Sequence, residues 1–341
     1  MVKPEEIMRG LWTFPIVLPN NPLKWLNCYV IKGENGGRNL LIDTGFDLPE
    51  CKEALLCGML MLGLQPEKTD VFLTHFHSDH TGNAPLLERL GCRLFMSRED
   101  GELFSSRKQE NYSVIERIGQ EGIPLRKILK IFQRDTAIVH INEHFHPVLL
   151  QEKDVLSYGR FHFSCILTPG HTPGHMCLYD AENKVLILGD HVLFDISPNI
   201  SSWTDNRDML GLYLDSLRKV MDCDAVSALP AHRNLPEISL KERCLQLLDH
   251  HEERMAEIFR VIERHAGYTA YQTARKISWH VHAGSWSAFS PSQRYFAITE
   301  TLAHLDCLCS RNMVHREKKG FYYRYYPVAA AKTLPQRDLL P

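Results

Sequence analysis

The run H-F-H-S-D-H at positions 75–80 constrains this chain more than any other feature. It holds three imidazoles and one carboxylate, and it follows an apolar segment at 71–74 that is typical of a β-strand. Alternate residues of an extended chain point the same way, so His75 and His77 can bind one metal ion. The next turn directs Asp79 and His80 elsewhere, which suits a second ion nearby. Burying these polar side chains would be costly if no metal ion were bound to them, so the run predicts a metal site.

The length of 341 residues exceeds what one hydrophobic core usually serves, so we expect two domains. Residues 241–341 contain 15 Lys and Arg against 10 Asp and Glu, a net charge of +5. The rest of the chain has 24 against 31, a net charge of −7. This split indicates an acidic main body with a mildly basic C-terminal part, and chance surface composition explains it at least as well. The overall charge of −2 indicates no general attraction to nucleic acid or membranes.

Strand and helix patterns alternate along residues 1–239, which predicts an α/β domain with a sheet covered by helices. Predicted strands lie at 11–18, 26–31, 39–42, 71–74, 93–96, 161–167, 176–179, 185–188 and 225–229. Predicted helices lie at 51–64, 83–90 and 208–221. Residues 98–146 interrupt the alternation with helical patterns at 113–118 and 125–134. An insertion of this length is typical of a helical lid that shapes a binding site.

Residues 240–341 are the second predicted domain. A long polar helix at 240–265 links it to the first and leads into helices at 270–277 and 293–311. A basic, aromatic hairpin at 314–326 follows and turns at Lys319-Gly320. Three helices and a hairpin are the element order of a winged-helix domain. Lys318, Lys319 and Arg324, together with the hairpin tyrosines, would suit contact with phosphates and bases, but we favour a role in capping the active site or in dimerisation.

Targeting and redox signals favour a cytoplasmic protein with reduced thiols. Ten cysteines lack the spacing of a disulfide framework, and residues 1–18 lack the basic start, long apolar core and cleavage site of a secretion signal. Nowhere do apolar residues run for the roughly 18 positions that a membrane helix needs, so no membrane partner is expected. Cys307 and Cys309 form a C-x-C pair, which we interpret as two faces of one helix.

Residues 74–82, T-H-F-H-S-D-H-T-G, resemble the T-H-x-H-x-D-H-x-x-G signature of the metallo-β-lactamase superfamily, with the glycine slightly early. Further motifs follow in that family's order. T-P-G-H-T-P-G-H at 168–175 is similar to the motif of glyoxalase II-like hydrolases, Gly189-Asp190 follows a strand, and L-P-A-H at 229–232 resembles the last histidine motif. Asp43 matches the family's early aspartate. The resemblance covers about the first 235 residues and implies an αββα sandwich.

Carried over position by position, this resemblance implies a ligand set. It assigns one metal to His75, His77 and His171 and the other to Asp79, His80 and His232, with Asp190 bridging both. Four neighbours are then expected to orient ligands or contact substrate: Asp43, His175, His191 and Arg233. Arg233 stands where the family has glycine, and its guanidinium would either pair with a carboxylate or phosphate or project into solvent.

The resemblance further implies a hydrolase with two divalent metal ions, zinc by the ligand set, with iron and manganese as alternatives. A water shared by two metals has its pKa lowered from 15.7 toward about 7, and the resulting hydroxide attacks the substrate. Asp79 is the predicted catalytic residue, because it would hold the second metal and orient the hydroxide.

The family hosts several activities, so the substrate must be argued from the pocket. We expect a small-molecule ester or thioester. Residues 190–194, D-H-V-L-F, lack the tyrosine that follows the bridging aspartate in quorum-quenching lactonases. One alternative is a phosphodiesterase or ribonuclease, because the tail resembles that of the mammalian β-lactamase-like protein 2 group, whose members include an endoribonuclease. The other is a non-catalytic sensor that binds a ligand at the metal site and reads DNA with its tail. The sequence leaves open whether the protein forms a homodimer.

Overall fold

The computed structural model describes residues 3–124, 144–202, 207–279 and 286–328. Its first sheet has seven strands in the spatial order β1-β2-β3-β4-β5-β6-β7. They are β1 (Glu5–Met8), β2 (Leu11–Val17), β3 (Trp25–Ile31), β4 (Asn39–Ile42), β5 (Thr69–Phe72), β6 (Arg93–Ser97) and β7 (Val148–Leu150). Strands β1 to β4 pair antiparallel and β4 to β7 pair parallel, so the sheet is mixed.

The second sheet has five strands in the order β12-β11-β10-β9-β8. They are β8 (Val155–Tyr158), β9 (Phe161–Leu167), β10 (Met176–Asp180), β11 (Val185–Gly189) and β12 (Ser227–Pro230). Only the pair of β11 and β12 is parallel among these described strands. This sheet is therefore also mixed.

Buried side chains from both sheets form one hydrophobic core. Tyr29 and Phe72 of the first sheet and Phe161, Phe163 and Ile187 of the second belong to the same cluster, each at most 1% exposed. Because β4 and β11 are buried along their whole length, their apolar residues run continuously rather than alternating. The two sheets are thus layered face to face.

The described helices are α1 (Pro49–Met61), α2 (Ser78–Thr81), α3 (Ala84–Arg89), α4 (Arg98–Gln120), α5 (Met209–Met221), α6 (Leu240–Arg264), α7 (Ala270–Ala274) and α8 (Pro291–Ser310). Helix α1 begins with a proline at its first position, where the missing N–H costs nothing. It packs on β2 so closely that a Cβ at Gly58 would lie 2.5 Å from the Phe14 ring. A helix therefore covers the first sheet, as the alternating pattern predicts.

Four strand ends bring distant segments of the chain to one place. Asp43 follows β4 and His75 lies beyond β5, and these two strands are parallel neighbours. Asp190 follows β11 and His232 lies beyond β12, which are also parallel neighbours. Carboxyl ends of parallel strands meet at one edge of a sheet, which is where α/β proteins commonly bind ligands. The topology thus gathers the residues of the predicted metal site.

Contacts group the chain into two compact units. The first comprises Met1–Arg107, Ala137–Pro198 and Asp215–Leu245, and the second comprises Lys108–Thr136, Asn199–Leu214 and Gln246–Pro341. Both sheets described above belong to the first unit. The predicted domain limits, 1–239 and 240–341, place one cut in the chain, whereas these units draw on several segments each. Those limits stay a prediction about domain organisation.

The C-terminal elements occur in the predicted order. Helices α6, α7 and α8 precede a hairpin of β13 (Val314–Lys319) and β14 (Tyr322–Pro327), which pair antiparallel and turn through Gly320 at a φ of +63°. Thr269 and Ser290 begin α7 and α8 with capping boxes, each accepting a hydrogen bond from the backbone of a glutamine three residues on. The winged-helix assignment itself stays a prediction.

Several elements differ from the sequence prediction. Strands β1, β7 and β8 were not predicted, because they are short edge strands whose partly exposed residues form no continuous apolar run. The one-turn helix α2 was also missed, since four residues are too few to show a helical period. The helical pattern at 113–118 belongs to the longer helix α4. The predicted helix at 125–134 lies outside the described residues. All ten cysteines are free thiols, and no helix in the described part of the chain combines the length and hydropathy that a bilayer crossing requires.

Candidate metal centre

The first group of ligand atoms joins the exit of β5 to the T-P-G-H loop. His75 Nε2 lies 3.0 Å from His77 Nδ1, and the rings of both residues are 4.6 to 4.8 Å from the ring of His171, centre to centre. One nitrogen from each of the three lies within 4.8 Å of the others. Three imidazole nitrogens at such distances can bind a single metal ion.

The second group lies beside it and contains a carboxylate from α2. His232 Nε2 lies 3.3 Å from both His80 Nε2 and Asp79 Oδ2. Asp190 reaches both groups, since Oδ1 lies 3.3 Å from His232 Nε2 and Oδ2 lies 3.5 Å from His171 Nε2. The structure thus brings together all seven residues that the resemblance implies as ligands. Their role as ligands stays a prediction.

Burial and mutual charge set the protonation of these groups. Burial, together with the neighbouring His80 and His77 rings, holds the pKa of His75 well below its usual range, so its imidazole is neutral. Burial alone would raise the pKa of Asp190, but the charges of His232 and His80 lower it well below normal. A neutral imidazole and an ionised carboxylate are the forms that bind a metal.

The donor set fits divalent metal ions. Asp190 Oδ1 is buried and faces His232 Nε2 at 3.3 Å without a well-aligned hydrogen bond among the described residues, an arrangement that is costly unless a cation or water completes it. Imidazole nitrogen and carboxylate oxygen are ligands that suit zinc, and they also occur at iron and manganese sites. The side chain of Asp79 is 11% exposed and that of Asp190 is 7% exposed, so the cluster has a narrow opening to solvent.

Asp43 contacts one of the predicted ligands, His80, on the side away from the other ligand atoms. Its Oδ1 accepts the Thr74 backbone N–H at 2.9 Å, and its Oδ2 lies 2.8 Å from His80 Nδ1. Because a carboxylate can only accept there, His80 Nδ1 carries the hydrogen, and Nε2 is the nitrogen that faces Asp79 and Asp190. The expected orienting role of Asp43 thus has a direct structural basis.

A similar bond orients His232. Its Nδ1 donates to the Trp25 carbonyl at 2.9 Å, since a carbonyl can only accept, and this leaves Nε2 facing Asp79 and Asp190. The Trp25 carbonyl lies at the start of β3, which also pairs with the His232 segment through a bridge between Leu26 and His232. The residue that orients this ligand is therefore 207 positions away in sequence.

The other three predicted neighbours of the site are His175, His191 and Arg233, and each has different surroundings. His175 Nε2 accepts the Asp190 backbone N–H at 3.1 Å, so this ring supports the backbone of the predicted bridging residue. His191 is fully buried, and burial lowers its pKa to about 3, so it is neutral. Arg233 is half-buried, and its guanidinium donates to the Pro22 carbonyl. This last contact places the Arg233 side chain on the β2–β3 loop, a location that sequence alone left open.

Two residues at the site were missed by the sequence analysis. The Thr74 hydroxyl donates to Asp43 and lies 3.1 Å from His75 Nδ1, so it connects Asp43 with a predicted ligand. Asp100 accepts hydrogen bonds from both ligand-bearing loops. Thr74 opens the H-x-H motif and could have been found from it, whereas the sequence around Asp100 carries no comparable signal.

Replacing Asp43 with asparagine should weaken metal binding 10- to 100-fold, because an amide cannot replace the charged acceptor of the His80 Nδ1–H. Asparagine tolerates the φ of +61° at this position, so the backbone is expected to keep its conformation. Competition with a chromophoric zinc chelator measures the change. The exposed Asp154, on the turn before β8, provides the matched control as Asp154→Asn. An unchanged affinity in Asp43→Asn contradicts the orienting role.

Comparison with known proteins decides the family. Residues 26–232, more than half of the chain, match the profile of the metallo-beta-lactamase superfamily. The chain belongs to this superfamily. Its structure is similar to that of the metallo-beta-lactamase family protein TTHA1429 from Thermus thermophilus, with a TM-score of 0.79, 27% sequence identity, and coverage of 95% of this chain and 100% of that one. The predicted metallo-β-lactamase fold is therefore confirmed.

Curated relatives in the superfamily include named thioesterases. The lactamase-like protein adaB of Aspergillus niger is 29% identical over 267 residues, 76% of this chain and 67% of its own length. The atrochrysone carboxyl ACP thioesterase AacuM of Aspergillus aculeatus is 27% identical, over 64% of this chain and 54% of its own length. The acyl-coenzyme A thioesterase MBLAC2 of Gallus gallus is 26% identical, over 61% and 73%. These findings support the prediction that this superfamily member is a hydrolase.

Proposed function

We propose that the protein is a dinuclear-metal hydrolase of small acyl thioesters. The observation that carries the proposal is the pair of ligand groups joined through Asp190, whose two carboxylate oxygens face different groups. The thioesterase names of two relatives favour a thioester over other acyl substrates. Zinc is the proposed metal, because three imidazoles and no thiolate or extra carboxylate form the first group.

The proposed reaction divides the work between metal and protein. Two bound metal ions supply Lewis acidity and a water of lowered pKa at neutral pH. Asp190 lies between the two ligand groups and connects them. Asp43 orients His80, and the Trp25 carbonyl orients His232. These supports fix the ligand atoms before substrate binds, which is the preorganisation that electrostatic catalysis requires.

Asp79 has the proposed catalytic role. Burial opposes ionisation, but the charges of His80 and His232 lower its pKa to about 2. Its carboxylate therefore stays ionised at neutral pH and acts as a fixed hydrogen-bond acceptor. With a side chain 11% exposed, Asp79 is placed to orient a nucleophilic water at the opening of the site rather than to store a proton.

Two further proposals concern the rest of the chain. We retain the glyoxalase II-like subtype because the 168–175 loop brings His171 and His175 to the site in different roles. We retain a cytoplasmic location because the ten free thiols suit a reducing compartment. The nuclease alternative gains no support from the hairpin, where Lys319 pairs with Glu317 at 3.1 Å and Lys318 lies over the Tyr323 ring. The sensor alternative is disfavoured by the named enzymes among the relatives.

A substrate panel tests the thioesterase proposal. Purified protein of known metal content should hydrolyse acyl-coenzyme A and acyl-pantetheine thioesters faster than p-nitrophenyl esters, lactones or bis-p-nitrophenyl phosphate. His77→Ala should abolish turnover, because it removes one nitrogen of the first group. His162→Ala removes an exposed histidine of β9 and serves as the matched control. Turnover of the phosphodiester alone would overturn the thioesterase proposal in favour of the nuclease alternative.

A further inference from the structure

Asp100 is a buried carboxylate that belongs to neither ligand group. It lies in the first turn of α4, directly beyond β6, and is 0% exposed. Its own backbone N–H donates to the Ser97 hydroxyl at 3.2 Å, which joins this turn to the end of the strand. The N-terminal end of a helix also favours a negative charge. The backbone of Asp100 is therefore anchored to the end of β6.

Three hydrogen bonds connect this carboxylate with the two loops of the first ligand group. Its Oδ2 accepts the Phe76 backbone N–H at 3.1 Å and the Thr172 hydroxyl at 2.7 Å, and its Oδ1 accepts the Gly174 backbone N–H at 2.6 Å. Phe76 stands between the two histidines of the H-x-H motif, and Thr172 directly follows the third histidine of the group. One buried side chain thus binds both loops.

The space at Gly174 shows how closely the second loop approaches Asp100. A Cβ on Gly174 would lie 2.4 Å from the Asp100 nitrogen and 2.7 Å from Asp100 Oδ1, distances that real Cβ atoms essentially never show. The second glycine of the T-P-G-H-T-P-G-H motif is thus required by the contact with Asp100. Charge-assisted bonds to a carboxylate are stronger than neutral ones, particularly in a buried site.

We propose that Asp100 is a positioning residue that holds the loops of His75, His77 and His171 at the separation that a metal ion requires. This inference rests on the proposed metal-dependent function and extends it to a residue outside the ligand set. Because Asp100 is held by β6 and α4, it transfers the rigidity of the sheet to both loops. Loss of the carboxylate should therefore weaken the first ligand group while the group of Asp79, His80 and His232 retains its own supports.

Metal affinity tests this role separately from turnover. Zinc titration against a chromophoric chelator should resolve two binding steps, and the step that is lost in His77→Ala identifies the first group. Asp100→Asn should weaken that step 10- to 100-fold. The new side chain replaces one acceptor oxygen with an NH2 group, which cannot accept a hydrogen bond from the loop donor that faces it. The exposed Glu102 of the same helix provides the matched control as Glu102→Gln.

A milder pair of variants covers the case in which Asp100→Asn fails to fold. Thr172→Val removes one of the three bonds and should weaken the same step about fivefold, and Thr172→Ser should restore the wild-type affinity. Urea unfolding of the metal-free proteins is the parallel readout. Metal-free destabilisation with unchanged zinc affinity, or equal weakening of both steps, would overturn the positioning role.

The two proposals fail in distinguishable ways. Wild-type protein that binds two zinc ions without hydrolysing thioesters refutes the proposed substrate class. The Asp100 inference can still be tested in that case, because its test measures zinc affinity and not turnover. Thioester turnover together with an unaffected first step in both Asp100→Asn and Thr172→Val refutes the Asp100 inference alone. Wild-type protein that binds no zinc, iron or manganese refutes both.

Discussion

Replacing Asp190 with alanine should lower kcat/KM for a thioester substrate by about 10³-fold or more and should reduce the metal content below two per chain. The reason is that the two carboxylate oxygens of Asp190 face different groups, His232 on one side and His171 on the other. Stabilisation of transition-state charge by metal ions is worth several kcal/mol, and about 4 kcal/mol corresponds to 10³ in rate. Steady-state kinetics and elemental mass spectrometry on the same samples measure both effects.

The control for this variant is Asp154→Ala, which removes an exposed aspartate of the same compact unit. Its activity and metal content should match the wild type. Circular dichroism should show that Asp190→Ala is folded, since the side chain packs against polar groups of the site and not in the hydrophobic core. If Asp190→Ala keeps two metals and turnover within tenfold of the wild type, Asp190 does not bridge the two groups.

The free energy of unfolding of the second unit should fall as the pH rises, because the buried Glu121 carboxyl ionises. This carboxyl is fully buried, and burial, together with the charge of Asp306, raises its pKa from 4.5 to about 7. The Tyr325 hydroxyl, which lies 3.1 Å from both carboxylate oxygens, and Arg117 and Arg316 only partly oppose this shift. Between these pH values the folded state holds a proton that the unfolded state has released. The contribution of Glu121 is therefore fully present below pH 4.5 and is lost toward pH 7.

The size of this effect follows from the shift. A raised pKa of this extent corresponds to on the order of 3 kcal/mol of unfolding free energy. Glu121→Gln imitates the protonated carboxyl, so its stability relative to the wild type should increase by about that amount between pH 4.5 and 8. Hydrogen exchange of residues 291–310 measures the stability of this unit directly. Glu116→Gln, an exposed change near the end of α4 and shortly before Glu121, is the control, and parallel pH curves for wild type and Glu121→Gln would contradict the prediction.

Much of the fold could be predicted because its buried strands carry apolar runs and its helices carry helical spacing. The continuous apolar runs of β3, β4 and β11 and the helical spacing of α1 and α5 all marked real elements. Strands β7 and β8 could not be found, because they lie at the sheet edges and their partly exposed residues form no apolar run. The insertion at 98–146 was predicted from broken alternation, and its first part is the helix α4. Its residues 125–143 lie outside the described structure, so the lid stays a prediction.

The sequence by itself determined which residues could bind metal. The H-x-H-x-D-H run brings His75, His77, Asp79 and His80 together through the short loop after β5 and one turn of helix, so no knowledge of distant contacts was needed. His171, Asp190 and His232 could be added because each stands in a motif with its own residue order. The family follows from the same motifs, and comparison confirmed it.

Only the tertiary structure decided what holds these ligands in place. The carbonyl that orients His232 comes from Trp25, 207 residues away, and Asp100 accepts from residues that are 24, 72 and 74 positions distant. Such contacts depend on which strands are neighbours and on how closely a loop lies against a helix, and neither leaves a local pattern. A buried carboxylate looks the same in sequence as an exposed one, because its burial and its donors are properties of packing.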